Sequence, residues 1–496
     1  MTPELESLVV VAPWKTAWPG LLAGVLALAG AWGLRRELKP GTALLGILAL
    51  ALVMRVLVVP IGLHEYDGHE AEYLDLWMGR RALSQGGTML YPAMQWLYAG
   101  LGRVVRHESG PLVVSLLASL VSIAALEGLV RRLVSQPAAL VAAGAMALWS
   151  NHIFWSSSAY NVILPHAFSL VALWSLACWI RGAPSWASGL VAGGCAALAV
   201  ATRLESILVA PLGLALVALY RPRGVLNALP GLLGGVVLGA FAAWYVLLPG
   251  QPPGAGQRAL AFSMNAGLLD YFAPFDRPLA QALLLVAAVL SIRAVPRFAG
   301  AVALFAVGTH LASSTFDDYG FRHLLGAQAA LAVLLGGLTR LPRWPAVGAV
   351  LVTGGLLLVD TLDLRDRYYA SEESFAASLP SDLPVWSLDQ LGECTLICED
   401  QRVVAEGEQL SHFNLLEPEE VARLRGQGCI QWLVGVQDHR WSSRAVRDRA
   451  LRLQSLYALE SRAVVKDPDS GYVGWVVDVG ERKSPRPWNS HTSPGI

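Results

Sequence analysis

The chain alternates long apolar stretches with short polar junctions over its first three quarters. A membrane-spanning helix needs roughly 20 mostly apolar residues. Twelve stretches are read as such helices: 17–34, 42–62, 111–130, 138–153, 161–180, 186–202, 204–220, 226–248, 279–295, 298–314, 323–339 and 345–361. Glycine and proline inside them are tolerated, because neighbouring helices can satisfy freed backbone groups. After Asp363 the pattern changes. A polar linker, DLRDRYYASEES, leads into strand-like runs at Pro384–Leu388, Thr395–Cys398, Arg402–Ala405, Ile430–Val436, Arg462–Val465 and Tyr472–Val479. Helix-like runs at Glu417–Gly426 and Ser443–Ser455 interleave with them. The expected organisation is an all-α polytopic membrane domain over residues 1–365 and a small soluble α/β domain over 366–496.

The charges in the junctions orient the spans. Arg35, Arg36 and Lys39 follow the first span, and every second junction repeats the signal: Arg131 and Arg132, Arg181, Arg221 and Arg223, Arg293 and Arg297, Arg340 and Arg343. Basic junctions face the cytoplasm. The alternate junctions hold nearly all the acids, among them Glu65, Asp67, Glu70, Glu72, Asp75, Glu108, Asp270, Asp276, Asp317 and Asp318. Both termini and the last domain are therefore expected outside the cytoplasm. The outer loop 63–110 is the longest. Its residues Glu70 to Leu83 suit a short helix, with Tyr73, Trp77 and Arg81 on one face. Pro92 sits where a second helix can start, and Met94, Leu97, Tyr98, Leu101 and Val105 form an apolar stripe along it. Two helices lying in the interface fit this pattern.

Composition agrees with that architecture. Of 496 residues, 54% are hydrophobic and 15% charged, against about 25% charged in soluble domains. Lys+Arg and Asp+Glu are equal at 37 each, so no basic surplus points to nucleic acid. Glu4 and Glu6 stand where a signal peptide would place a cation, so the first apolar segment is expected to be retained. Cys178 and Cys195 lie in spans and read as packing residues. Cys394, Cys398 and Cys429 lie in the outer domain, where one pair can form a disulfide in an oxidising compartment.

The candidate chemistry sits on the outer face. His64 to Trp77 reads HEYDGHEAEYLDLW and brings Asp67, Glu70 and Glu72 to the membrane surface. Ala201 to Ser206, ATRLES, places Arg203 and Glu205 between two spans. Phe321 to Gly336 opens a span with Arg322 and His323. Leu148 to Leu170 reads as a short outer turn rich in Ser, Asn and aromatics, and Arg55 lies inside the second span. A solvated acidic loop and snorkelling arginines account for each piece taken singly. Ionisable groups at membrane depth are nonetheless costly and commonly functional, and these collect cations and carboxylates on one membrane face.

In order and topology these segments resemble the GT-C type of polytopic glycosyltransferases, close to the protein mannosyltransferase and lipid A aminoarabinose transferase group. DGHEAEY (Asp67 to Tyr73) matches the family's acidic motif, TRLES (Thr202 to Ser206) its aRpE segment, and FRHLLGAQAAL (Phe321 to Leu331) its RYLLP-type opening. The likeness covers roughly residues 42–361. It departs where His69-Glu70 replaces an adjacent Asp-Glu, where His323 replaces Tyr, and in one extra leading span. It implies an inverting transferase that moves a sugar from a polyprenyl-phosphate donor to a protein, lipid or glycan acceptor outside the cytoplasm, in a bacterial inner membrane. Asp67 is the first choice for the base that activates the acceptor hydroxyl, with Glu70 second. Arg203, Arg322, His323 and Arg55 would hold the donor phosphate, a task suited to the guanidinium fork. No cofactor is required by the sequence, and a divalent metal is left open. The rival class is a transporter or flippase for a lipid-linked or polar solute, which would show paired halves with interrupted helices. A membrane anchor for the outer domain would not need twelve spans.

Overall fold

The computed structural model describes residues 13–35, 37, 41–58, 73, 76–79, 92–105, 107, 109–156, 162–247, 278–314, 325–378, 385–386, 394–397, 404–405, 431–435, 457–467 and 472–482. The chain separates into two units, the first reaching Arg365 and the second continuing from Asp366.

The first unit is helical. In chain order it contains α1 (Pro13–Gly33), α2 (Thr42–Val53, extended by a π turn Met54–Val58), α3 (Pro92–Val104), α4 (Gly110–Leu133), α5 (Gln136–Leu148), α6 (Ser150–Ser156) and α7 (Ile163–Ile180). It continues with α8 (Ser185–Thr202), a 3₁₀ turn Leu204–Leu208, α9 (Val209–Tyr220), α10 (Val225–Leu247), α11 (Pro278–Ala294) and α12 (Pro296–Ser314). Next come α13 (Leu325–Leu335, followed by a 3₁₀ turn Gly336–Arg340) and α14 (Arg343–Ser378). Among the described residues Gly110–Leu133, Ile163–Ile180, Ser185–Thr202 and Arg343–Leu362 are each long and apolar enough to cross a membrane. The segment expected as one span at 138–153 is two helices, α5 and α6, bent by 62°. Part of the expected outer turn after Leu148 is thereby the helix Ser150–Ser156, whose Ser150, Asn151 and His152 are buried. Large apolar side chains such as Leu28, Leu285, Leu304 and Leu351 point outward, as lipid-facing positions do.

The helices approach closely through small residues, the packing that membranes favour because lipid supplies no hydrophobic drive between helices. A Cβ on Gly193 of α8 would stand 2.5 Å from the Gly231 carbonyl of α10, and one on Gly235 would stand 2.7 Å from the Gly193 Cα. One residue further along α8, a Cβ on Gly194 would meet the Ala23 carbonyl of α1 at 2.6 Å. Helix α8 is therefore held between α1 and α10 at backbone contact. The basic junction residues close helix C-termini: Arg181 Nε donates to the Arg132 carbonyl (2.6 Å) and Arg221 Nη1 to the Trp179 carbonyl (3.0 Å). Cations there also complement the helix dipole.

In the segment between α2 and α4, the expected stripe on α3 is only partly turned inward. Met94 and Tyr98 are buried with Tyr73, Leu76 and Trp77. Leu101 and Val105 are exposed. Tyr98 meets Tyr73 and Trp77 edge to face, with centroids 5.3 and 5.6 Å apart, and Trp77 Nε1 donates to the Val105 carbonyl at 2.7 Å. Gly79, two residues after Trp77, has φ +71°, a conformation suited to glycine; residues 80–83 of the expected helix lie outside the described residues. Trp77 is the keystone of this cluster. Trp77→Ala is expected to cost about 3–5 kcal/mol, read as a lowered melting temperature in detergent. Trp77→Phe, which loses only the hydrogen bond and part of the ring, should cost much less.

The second unit contains a six-stranded sheet in the order β1 (Val385–Trp386), β5 (Tyr457–Asp467), β6 (Tyr472–Arg482), β4 (Gln431–Gly435), β2 (Cys394–Ile397), β3 (Val404–Ala405). The pairs β5–β6, β4–β6 and β2–β3 are antiparallel, and β1–β5 and β2–β4 are parallel. The strands overlie the six strand-like runs of the sequence. The interleaved helix-like runs, Cys398 and Cys429 lie outside the described residues.

Candidate functional site

A cavity of about 160 Å³ opens between α4, α7, the turn Leu204–Leu208, α9, α12 and α13. Its wall is mostly Leu, Val, Pro and Ala, among them Leu126, Leu170 and Leu212, with Phe305. The polar groups on it are few: His166, Ser169, Arg203, Ser206 and Thr309. An apolar chamber with a small set of converging polar groups is the usual form of a site for an amphiphilic ligand.

Arg203 reaches this wall because α8 stops there. Its backbone is extended (φ −164°, ψ 116°), its amide donates to the Ala199 carbonyl at 2.9 Å, and the Leu204–Leu208 turn starts at once. Thr202 Oγ1 donates back to the Leu198 carbonyl at 2.7 Å and tightens the end of α8. Arg203 is 8% exposed.

Arg55 lies elsewhere. It sits in the π turn that ends α2, fully buried, and is not on the cavity wall. Its Nη1 donates to the Ala51 and Ala147 carbonyls at 2.9 and 3.0 Å, and its Nη2 lies 2.7 Å from His152 Nδ1. Among the described residues no carboxylate pairs with it, and its Nε has no partner. Since Arg only donates, His152 Nδ1 must accept. The ring proton is then on Nε2, 3.0 Å from Ser122 Oγ, which itself donates to the Ser119 carbonyl at 2.7 Å. His152 packs edge to face on His166, centroids 5.9 Å apart, and His166 lines the cavity.

The same break in the α5–α6 span is bridged on its other side. Thr361 Oγ1 donates to the Leu148 carbonyl at 2.9 Å, Asn151 Nδ2 to Gln328 Oε1 at 2.8 Å, and Ser150 Oγ to Asp360 Oδ2. Asp67, Glu70, Arg322 and His323 lie outside the described residues, as do Asp317 and Asp318. In sequence, Arg322 and His323 stand three and two positions before Leu325, which opens α13 and lines the cavity with Gly326. The structure thus puts Arg203 on the cavity wall and leaves Arg55 off it. His152, His166, Gln328 and Asp360 were not singled out from sequence, although each is a polar residue inside an apolar run, the signal by which it could have been found. Among the described residues no three His, Cys, Asp or Glu side chains are placed to hold a metal ion.

No protein-family profile matches the chain, and no curated protein matches it. Solved structures do. The chain carries helices long and apolar enough to cross a membrane, and its fold is shared with a solved structure. In particular, it superposes on ArnT from Cupriavidus metallidurans in the apo state with a TM-score of 0.54 and 14% identity, over 87% of this chain and 97% of that chain. The crystal structure of ArnT bound to undecaprenyl phosphate gives a TM-score of 0.53, again at 14% identity, with the same coverage. Archaeal oligosaccharyltransferase AglB from Archaeoglobus fulgidus, in complex with an inhibitory peptide and a dolichol-phosphate, matches at a TM-score of 0.45 and 11% identity, over 90% of this chain and 75% of that one.

Proposed function

We propose that this protein is a membrane glycosyltransferase that moves a sugar from a polyprenyl-phosphate donor to an acceptor outside the cytoplasm. The observation that carries the reading is the cavity: an apolar chamber with Arg203 in its wall. The polyprenyl chain would lie against the Leu and Val side chains, and its phosphate against Arg203. Arg322 and His323, just ahead of α13 in sequence, would complete the phosphate contacts. Asp67, or Glu70 in its place, would take the acceptor proton, and the phosphate would leave with inversion at the sugar. Phosphate is a good leaving group when its charge is neutralised, so no second acid is needed to protonate it. The fold supports this reading, being shared with a protein crystallised with undecaprenyl phosphate.

The twelve expected spans, with α5 and α6 forming one, and the alternating junction charges support an extracytoplasmic position for residues 366–496 as a small α/β domain. Bacterial inner membrane is the setting that fits. Arg55 is occupied by backbone carbonyls and His152, so we assign it a positioning role in place of a phosphate contact.

The test is transfer of labelled sugar from a polyprenyl-phosphate donor by purified protein in liposomes. Wild type is expected to transfer sugar. Arg203→Ala should raise the donor KM about tenfold or more, the loss of a charge-assisted contact. Arg203→Lys should recover part of it, since Lys keeps the charge and lacks the fork. Movement of a solute across sealed liposomes with no transfer would establish the rival, a transporter.

A further inference from the structure

We infer that His166 is a second hydrogen-bond donor to the lipid phosphate, held in place by a chain that starts at Arg55. This rests on the reading that the cavity takes a phosphate-bearing lipid. Three observations lead to it. His166 is on the cavity wall that also carries Arg203, and its Nε2 is buried with no hydrogen-bond partner. A buried ring nitrogen left without a partner is a cost that a ligand can remove.

The second observation is the state of its neighbour. His152 is committed on both nitrogens: Nδ1 accepts from Arg55 and Nε2 donates to Ser122. A second ring proton on Nδ1 would displace the guanidinium and set two cations in contact. His152 is thereby fixed as a neutral ring, and it works as a wall that sets the orientation of His166 at 5.9 Å. Of the two rings only His166 retains donor capacity for a ligand.

The third is Arg55 itself. Among the described residues it has no counter-charge, and a buried cation without one is expensive. Among the described residues its one side-chain partner is His152, so what it does for the cavity it does through that ring. In this role Arg55 and His152 are positioning residues, and His166 touches the ligand.

The experiment measures binding of three probes to purified protein in nanodiscs: undecaprenyl phosphate, undecaprenol and inorganic phosphate. Wild type is expected to prefer the lipid phosphate over the alcohol of the same chain, and to bind inorganic phosphate weakly. His166→Ala should lower affinity for undecaprenyl phosphate about ten- to a hundredfold, the usual size of a lost hydrogen bond to a charged group. Undecaprenol binding should not change. His166→Gln, which keeps an N–H donor, should restore part of the loss. Arg55→Gln should lower the phosphate preference in the wild-type background and have no further effect in His166→Ala, because contacts in series do not add. Equal loss of phosphate and alcohol in His166→Ala would mean a structural role and overturn the proposal. So would an unchanged preference. Additive losses for Arg55→Gln and His166→Ala would remove Arg55 from the chain. Inorganic phosphate bound as tightly as the lipid would make the site one for a free anion. A wild-type protein with no preference for phosphate over alcohol would overturn the cavity's assignment as well.

Discussion

An Asp67→Asn variant is expected to transfer sugar about 10² to 10⁴ times more slowly than wild type, the usual contribution of a general base. Asn keeps the shape of the side chain and removes its capacity to accept the proton of the acceptor hydroxyl. Donor binding should survive, because the groups assigned to the phosphate are Arg203, Arg322, His323 and His166, none of them in the acidic loop. The fall should therefore appear in kcat, with the donor KM nearly unchanged. Single-turnover transfer of labelled sugar separates the two. If Glu70→Gln shows the larger loss, the base is Glu70. If neither variant slows the chemical step, the acidic loop has another task and the base lies elsewhere.

The second large effect is expected on folding. A Gly235→Val variant should fail to give monodisperse protein, and Gly235→Ala should cost about 1–3 kcal/mol or more. The reason is local. The backbones of α8 and α10 touch at Gly193, Gly231 and Gly235, with a prospective Gly235 Cβ only 2.7 Å from the Gly193 Cα. Backbone cannot move aside as a flexible side chain can, so the helices must separate along their length. Gly234 is the control. A Cβ there meets nothing within 4 Å, and Gly234→Ala should be neutral or gain up to about 1 kcal/mol in helix propensity. Thermal unfolding of the two alanine variants in one detergent checks the contrast. Equal melting temperatures would show that the two helices do not pack as described.

Much of the helical plan was legible from hydropathy alone, because lipid demands that each crossing satisfy its own backbone. A helix lies over each of the twelve expected apolar ranges. What escaped was the break after Leu148. Ser150 and Asn151 sit among apolar residues, and a window average conceals two polar positions. The partners that make the break tolerable, Arg55, Gln328 and Thr361, are remote in sequence, and no local pattern announces them. Arg203 was visible as a charge between two apolar runs. The cavity it serves was not, since its wall is drawn from six elements and consists mostly of residues that any span would contain. The strands of the second unit were legible because β-branched and aromatic residues cluster there between polar turns. The extra length of β5, from Tyr457, was missed: Glu460 and Ser461 interrupt the apolar alternation, and pairing with β6 extends the strand through them.

The break in α5–α6 also constrains the order in which the chain can be built. Its freed groups are met by Thr361 and Asp360, more than 200 positions downstream, and by Gln328, 177 positions on. During synthesis these partners are the last part of the membrane domain to leave the ribosome. Until they arrive, the span carries backbone and amide groups that lipid cannot satisfy, at a cost of several kcal/mol for each exposed group. A nascent chain halted before α13 is thus marked as unfinished at a point buried deep in its own early half. Arg55, already present from the second helix, can hold one carbonyl through that interval. The same residues that shape the mature site therefore serve as a check on completion, and a truncated protein should be a ready substrate for membrane proteolysis however well its first helices pack.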